Sequence, residues 1–385
     1  MGSGNVERSG RRLARRRVRY PVPAPLIETV RVVGMPADIR SWGDRPSENF
    51  QRSLRESIAQ GRTAYGDQEP VDVLGISGGG ARGAFGAGVL CGWTKQGTRP
   101  NFRMVTGVSI GAVIAPFAFL GHQYDDRLQG MVRTTTDKDL YRTRWLLPGL
   151  SRDSIADNAP LARYVGRHFD HDVLAAVAAE HAKGRRLFVL TTNLDLGRPV
   201  IWNLGAIAAS GAPGSLDLFR QVIVATSAMP VFFPPSYIDV EQDGHTFDEM
   251  HVDGGVTEQL LLYGRVFAVQ DVSASEGPPP RRGTYYVIRN GKFSGDYAPV
   301  EPTLRAIATR SFRGISQAQG MGDLWQAWVA CGRDNFDFRL AAIPDDVDLS
   351  AGKVLDTESV GRLFDRGYEF GRAGHSWATQ PPGVR

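Results

Sequence analysis

Val71-Asp72-Val73-Leu74-Gly75-Ile76-Ser77-Gly78-Gly79-Gly80-Ala81-Arg82-Gly83-Ala84-Phe85-Gly86-Ala87-Gly88-Val89-Leu90 decides the fold. The apolar run 71–76 reads as a strand and the glycines as a turn. The small, apolar residues from Ala84 read as a helix that packs closely on a neighbour. Where a strand turns into a helix, unpaired backbone N–H groups make a site for negative charge. Gly78, Gly80 and Gly83 also satisfy the G-x-G-x-x-G pattern of a dinucleotide site. That reading needs an acidic residue at the end of the next strand, and no Asp or Glu occurs between Asp72 and Asp125. A phosphate loop of the Walker type fails as well, because no Lys-Ser or Lys-Thr follows the glycines.

The next strand, Arg103-Met104-Val105-Thr106, runs instead into Gly107-Val108-Ser109-Ile110-Gly111. G-x-S-x-G alone is a weak signal, and an ordinary strand-to-helix turn with a capping Ser is the plain alternative. Here a strand precedes Ser109, and Ile110–Leu120 suits a buried helix. The glycine loop and Ser109 lie one strand–helix–strand unit apart. A right-handed crossover sets both turns at the same carboxyl edge of a parallel sheet. Gly79 and Gly80 N–H groups can then face a carbonyl oxygen attacked by Ser109. Arg82 either adds a cation there or pins the loop from behind. A third segment, Asp253-Gly254-Gly255, follows the strand-like Thr246–Val252 and supplies a carboxylate.

These motifs resemble those of the patatin-like phospholipases, a family of lipid acyl hydrolases. Its G-G-G-x-R-G stands at Gly78–Gly83, its G-x-S-x-G at Gly107–Gly111 and its D-G-G at Asp253–Gly255. Thr191–Pro199 and Ala225–Pro235 are also similar to family segments. The likeness covers roughly residues 70–290 and extends toward a helix near Gly371; the first 65 or so lie outside it. It implies a three-layer α/β/α fold with a central, mainly parallel sheet and a nucleophile elbow. It implies Ser109 as nucleophile and Asp253 as its only partner, a Ser–Asp dyad without histidine. Gly78, Gly79, Gly80 and Arg82 are the corresponding oxyanion loop. The substrate is then a phospholipid or another acyl ester, with no cofactor, no metal and no nucleic acid.

A serine hydroxyl needs a base to take its proton, and a carboxylate is a weak base in water. Burial against apolar walls raises its pKa and makes it a better acceptor. The competing reading is a Ser–His–Asp esterase or lipase. His251, two residues before Asp253, shares its strand face, and His375 is the one histidine after Asp253. A lipid-binding envelope protein with incidental catalysis is a third reading. His168 and His171 lack the spacing of a zinc pair. Met229, Phe232 and Phe233, in a proline-stiffened loop, line an acyl channel or pack a core; the sequence serves both equally. Tyr141–Leu150, with Trp145 amid Arg142 and Arg144, combines aromatic and basic residues as peripheral membrane contacts do.

The 385 residues are 42% hydrophobic and 22% charged, ordinary for a globular chain. Strands 186–190 and 285–288 alternate with helical stretches near 160–182, 215–227 and 301–331, as in a sheet between helix layers. We expect an Arg-rich extension over 1–65, partly disordered, one hydrolase domain over 66–376, and a tail over 377–385. The first twenty residues hold seven Arg and one Glu against a net charge of +4 for the whole chain. They resemble the start of an export signal, but no apolar stretch or lipobox Cys follows. Cytoplasmic and envelope locations both stay open. Cys91 and Cys331 read as helical and buried, with no disulfide implied.

Overall fold

The computed structural model describes residues 18–66, 70–134, 142–143, 156–157, 159–230, 232–261, 283–295, 297–347, 357–374 and 377–383. Most of the Arg-rich start, most of Tyr141–Leu150, the loop around Pro279, and His375 lie outside the described residues.

One sheet contains β1 (Arg31–Val32), β2 (Arg40–Trp42), β3 (Val73–Ile76), β4 (Met104–Val108), β5 (Arg186–Asn193), β6 (Arg198–Asn203), β7 (Ser236–Gln242), β8 (His245–Asp253), β9 (Thr284–Arg289) and β10 (Asp337–Ala342). Strands β10, β9, β3, β4 and β5 lie side by side and parallel. Antiparallel strands extend this core: β6 then β2 from β5, and β8, β7 and β1 in turn. The helices are α1 (Glu48–Tyr65), α2 (Gly83–Gln96), α3 (Ile110–Leu120), α4 (Asp125–Thr134), α5 (Ala159–His168), α6 (His171–Ala182), α7 (Leu204–Ala209), α8 (Ser215–Thr226), α9 (Leu304–Asp334) and α10 (Thr357–Ala373). The stretch near 160–182 is thus two helices, because Asp170 caps α6 by accepting from Val173 N–H at 3.0 Å.

Parallel strands buried on both faces need apolar residues at successive positions. Leu74, Ile76, Val105, Leu187 and Val189 point into one core, which α2, α3, α8 and α10 complete. Val73, Met104, Val108, Phe188 and Leu190 point into a second core on the other face. There α1 contributes Phe50 and Leu54, and α9 contributes Leu324, Ala327 and Cys331. The fold is therefore a three-layer α/β/α sandwich with a mainly parallel centre. Phe50 meets Phe188 with ring centroids 4.9 Å apart; truncating such a core aromatic to Ala costs about 3–5 kcal/mol. From residue 18 onward the N-terminal segment contributes β1, β2 and α1. Cys91 and Cys331 are buried and free.

The helix after the glycine loop is held by backbone contact. A Cβ at Gly88 would stand 2.1 Å from the Phe364 carbonyl oxygen, and one at Gly371 would stand 2.2 Å from that of Val89. Small residues on both α2 and α10 permit this approach, which fixes where α2 starts and hence where Gly78–Gly83 lie.

Candidate active site

One edge of β5 explains why distant segments meet. Val108, at the end of β4, pairs with Leu190, and Asp253, at the end of β8, pairs with the next residue, Thr191. The parallel β4 and the antiparallel β8 thus run end to end along the same side of β5. The residue leaving β4 is Ser109, and it emerges beside Asp253. Its Oγ donates to Asp253 Oδ2 at 2.6 Å.

Ser109 has φ 54° and ψ −126°, a conformation that side-chain-bearing residues seldom adopt. The flanking glycines permit it. A Cβ at Gly107 would come within 2.5 Å of Gly111 O, and one at Gly111 within 2.2 Å of Ile76 O. The turn is also tied from outside. Ser109 N–H donates to Thr226 Oγ1 at 3.0 Å, and the Thr226 hydroxyl donates to Leu190 O at 2.6 Å. Helix α3 starts at Ile110, so its N-terminal dipole faces the Ser109–Asp253 pair.

Asp253 is 6% exposed. Burial pushes its carboxyl up to about 6, against the opposing effect of hydrogen bonds from Ser109 and from Gly255 N–H. The Gly255 bond, 2.7 Å to Oδ1, fixes the carboxylate plane and leaves Oδ2 for the serine. Asp253 N–H donates to Ala228 O at 3.0 Å, which sets the loop after α8 against the pair. Met229, Phe232 and Phe233 are half-buried in that loop.

The glycine loop abuts the serine from the other side: a Cβ at Gly78 would stand 3.4 Å from Ser109 Cβ. Gly78 N–H is committed to Gln259 O at 3.2 Å. Gly79 has φ +157° and Gly80 φ +59°. Among the described residues no protein acceptor takes the N–H of either. Arg82 returns to its own loop, with N–H 3.3 Å and Nε 3.2 Å from Gly79 O. Because a trans amide points its C=O and N–H in opposite directions, that bond turns the Gly80 N–H away from Arg82.

Three residues without a motif hold this assembly. Asn290 donates through Nδ2 to Ser77 O at 2.9 Å and through its backbone N–H to Ser77 Oγ at 2.9 Å. Its carbonyl oxygen would lie 2.4 Å from a Cβ at Gly79. Gln259 ties the oxyanion loop to the Asp-Gly-Gly turn: its carbonyl takes Gly78 N–H, and its Nε2 donates to Gly255 O at 2.7 Å. Asp323 on α9 accepts from the N–H groups of Gln259 and Leu260 at 2.7 and 3.2 Å. They stand in no pattern with Ser109 or Asp253, and spacing offered no signal for them.

His251 is fully buried, and both ring nitrogens are engaged away from Ser109. The Glu249 carboxylate can only accept, so the neutral His251 ring carries its proton on Nε2, and Nδ1 accepts at 2.9 Å from the Thr191 hydroxyl, whose oxygen takes Trp202 Nε1–H at 2.8 Å. Nε2–H then donates to Glu249 at 3.0 Å. Burial holds the imidazole below its ordinary pKa, hence neutral. Burial works against the Glu249 carboxylate too, but the Arg40 guanidinium and the hydrogen bond from His251 together outweigh it and hold that group at about 2. Among the described residues no cluster of three or more His, Cys, Asp or Glu could hold a metal ion. No helix among them is long and apolar enough to cross a membrane.

Comparison with known proteins agrees with the motifs. The family model described as patatin-like phospholipase matches residues 74–262. A cGAMP-activated phospholipase of Escherichia coli (strain TW11681) is 25% identical over 271 residues, covering 66% of this chain and 70% of that one. Patatin-like protein 2 of Oryza sativa subsp. indica is 25% identical over 254 residues, 60% of this chain and 58% of that one. Among solved structures, VipD from Legionella pneumophila aligns with a TM-score of 0.38 at 12% identity, over 78% of this chain and 66% of that one. The chain thus spans less than two thirds of the length of the rice relative.

Proposed function

We propose that this chain, which over residues 74–262 belongs to the patatin-like phospholipase family, hydrolyses lipid acyl esters through Ser109 and Asp253. The observation that carries the reading is the 2.6 Å hydrogen bond from Ser109 Oγ to a buried carboxylate, with His251 engaged elsewhere. Ser109 Oγ attacks the ester carbonyl as Asp253 Oδ2 takes its proton. The oxyanion that forms lies against the Gly79 and Gly80 N–H groups, and Arg82 holds that loop in place. Asp253 returns the proton to the departing alcohol, leaving an acyl-serine. Water then attacks the acyl carbon as Asp253 takes its proton; on collapse Asp253 passes that proton to Ser109 Oγ, and the fatty acid leaves. A carboxyl near 6 suits this shuttle better than one near 4, because a stronger base takes the serine proton more readily while still ionised at neutral pH. Met229, Phe232 and Phe233, on the loop against Asp253, border the acyl chain.

Release of fatty acid from defined phospholipids and neutral lipids tests the reading. Turnover of at least one class, lost in Ser109→Ala, is expected. Turnover that survives Ser109→Ala would overturn it.

A further inference from the structure

Helix α9 changes character along its length. Its C-terminal half is a core element, with Leu324, Ala327 and Cys331 buried against the sheet. The preceding residues lock it to the candidate site. Gln317 donates through Nε2 to Lys292 O and Phe293 O at 3.0 Å each. Gln319 bonds Thr257 O, and a Cβ at Gly320 would touch Gln259 at 3.4 Å. N-terminal to that anchor the helix runs on with little cover. Leu304 is 87% exposed, Ile307 51% and Ile315 66%, and Tyr297 just before the helix is 90% exposed.

The three helical residues form a single stripe. Separations of three and eleven residues are close to whole turns at 3.6 residues per turn, so Leu304, Ile307 and Ile315 share a face. Leu324, Ala327 and Cys331 lie about half a turn round the helix from Leu304. The exposed stripe is therefore no continuation of the core-facing side; it looks away from the protein body. The charge pattern is one-sided as well. From Tyr297 to Gly322 there are three Arg against a single acidic residue, Glu301. Arg310 and Arg313 are exposed and sit off the stripe, on the polar side. An outward apolar stripe with basic residues beyond it complements an anionic lipid surface, where side chains such as Leu and Ile enter the acyl boundary and arginines meet phosphates.

We propose that the N-terminal half of α9, with Tyr297, docks the protein on anionic phospholipid bilayers. The anchor at Gln317–Gly320 sets this surface next to the Gly78–Asp253 region. Leu304 lies about 24 Å further along the axis at 1.5 Å per residue. Docking gives the proposed hydrolase its access to lipid. The surface itself needs no catalysis, so the two readings can fail separately.

The test is co-sedimentation of the Ser109→Ala protein with vesicles of phosphatidylglycerol or of phosphatidylcholine alone. Binding to the anionic vesicles is expected, weakening with salt. Leu304→Gln/Ile307→Gln/Ile315→Gln should cut it by about a hundredfold. Arg310→Gln/Arg313→Gln should cut it by about tenfold. Val33→Gln, an exposed apolar control just after β1 at the far edge of the sheet, should leave it unchanged. All these positions are on the surface, so the thermal midpoint reports whether each variant folds. Equal partitioning of the triple variant and the parent would overturn the proposal. So would a concentration-dependent dimer that the triple substitution abolishes, since the stripe would then serve a second copy. Turnover of a soluble ester by the protein with Ser109 intact is the separate arm. Vesicle binding without such turnover leaves docking standing and removes the hydrolase reading; turnover without vesicle binding does the reverse.

Discussion

Replacing Asp253 by Asn should stabilise the protein while abolishing activity, and the gain should depend on pH. The amide can keep the geometry: its oxygen accepts from Gly255 N–H, and its NH2 faces Ser109 Oγ. It cannot take the serine proton. The native carboxyl has a folded pKa of about 6, against about 3.9 in an unfolded chain. Below about pH 4 the carboxyl is protonated in both states, and no cost arises. Between about pH 4 and 6 the unfolded carboxyl ionises while the folded one keeps its proton, so native stability falls as pH rises. Above about pH 6 the full cost, about 3 kcal/mol, remains. The neutral amide of the variant carries no such cost. Urea unfolding of both proteins from pH 4 to 8 should show curves that nearly coincide at the acid end. The variant should then pull ahead by up to about 3 kcal/mol and level off near pH 6. A difference independent of pH, or a variant less stable throughout, would refute a carboxylate strained by burial. For the native enzyme, kcat/KM should rise to a plateau with an apparent pKa near 6, since only the ionised carboxyl accepts a proton.

Ser109→Ala and Asp253→Asn should each abolish turnover, with the double variant little worse than either; a far larger loss in the double variant would show that they do not act as one unit. His251→Ala should keep kcat within about tenfold, because loss of a true general base costs about a hundredfold or more; a loss of about a thousandfold with unchanged circular dichroism would instead indicate a triad. Gly79→Ala drives a Cβ to 2.4 Å from Asn290 O and should lower kcat by about a hundredfold or more at little change in KM. A raised KM with normal kcat would assign the loop to ground-state binding. Thr226→Val leaves the Ser109 N–H without its acceptor, and denaturation should show about 1–3 kcal/mol lost; no loss would mean that the elbow does not depend on that bond.

The layered architecture was legible because its signals are local. Apolar runs, the Gly78–Gly83 turn and the small residues of α2 each act within one element or on its immediate neighbour. What spacing could not supply was long-range registration. Nothing near Asp253 says that β8 will abut β4 along β5, yet Leu190 and Thr191 bring the pair together. Asn290, Gln259 and Asp323 escaped for the same reason: each is an ordinary polar residue until the chain folds it against Ser77, Gly78 or the Asp-Gly-Gly turn. Thr226 stood inside a segment already singled out, but its hydroxyl bonds the Ser109 amide 117 positions away. Arg82 reaches back to Gly79 O, a contact that spacing gave no sign of. His251 shares a strand face with Asp253 as periodicity requires, but a shared face does not decide what a ring nitrogen meets.

The most direct measurement is covalent capture of the nucleophile. Protein treated with a fluorophosphonate and digested should give a mass adduct on Ser109, and esterase activity should fall in step with its formation. Asp253→Asn should slow the labelling by orders of magnitude, and Ser109→Ala should remove it. An adduct on any other residue that tracks the loss of activity, or full labelling of Ser109 in Asp253→Asn, would contradict the account of a serine activated by this carboxylate.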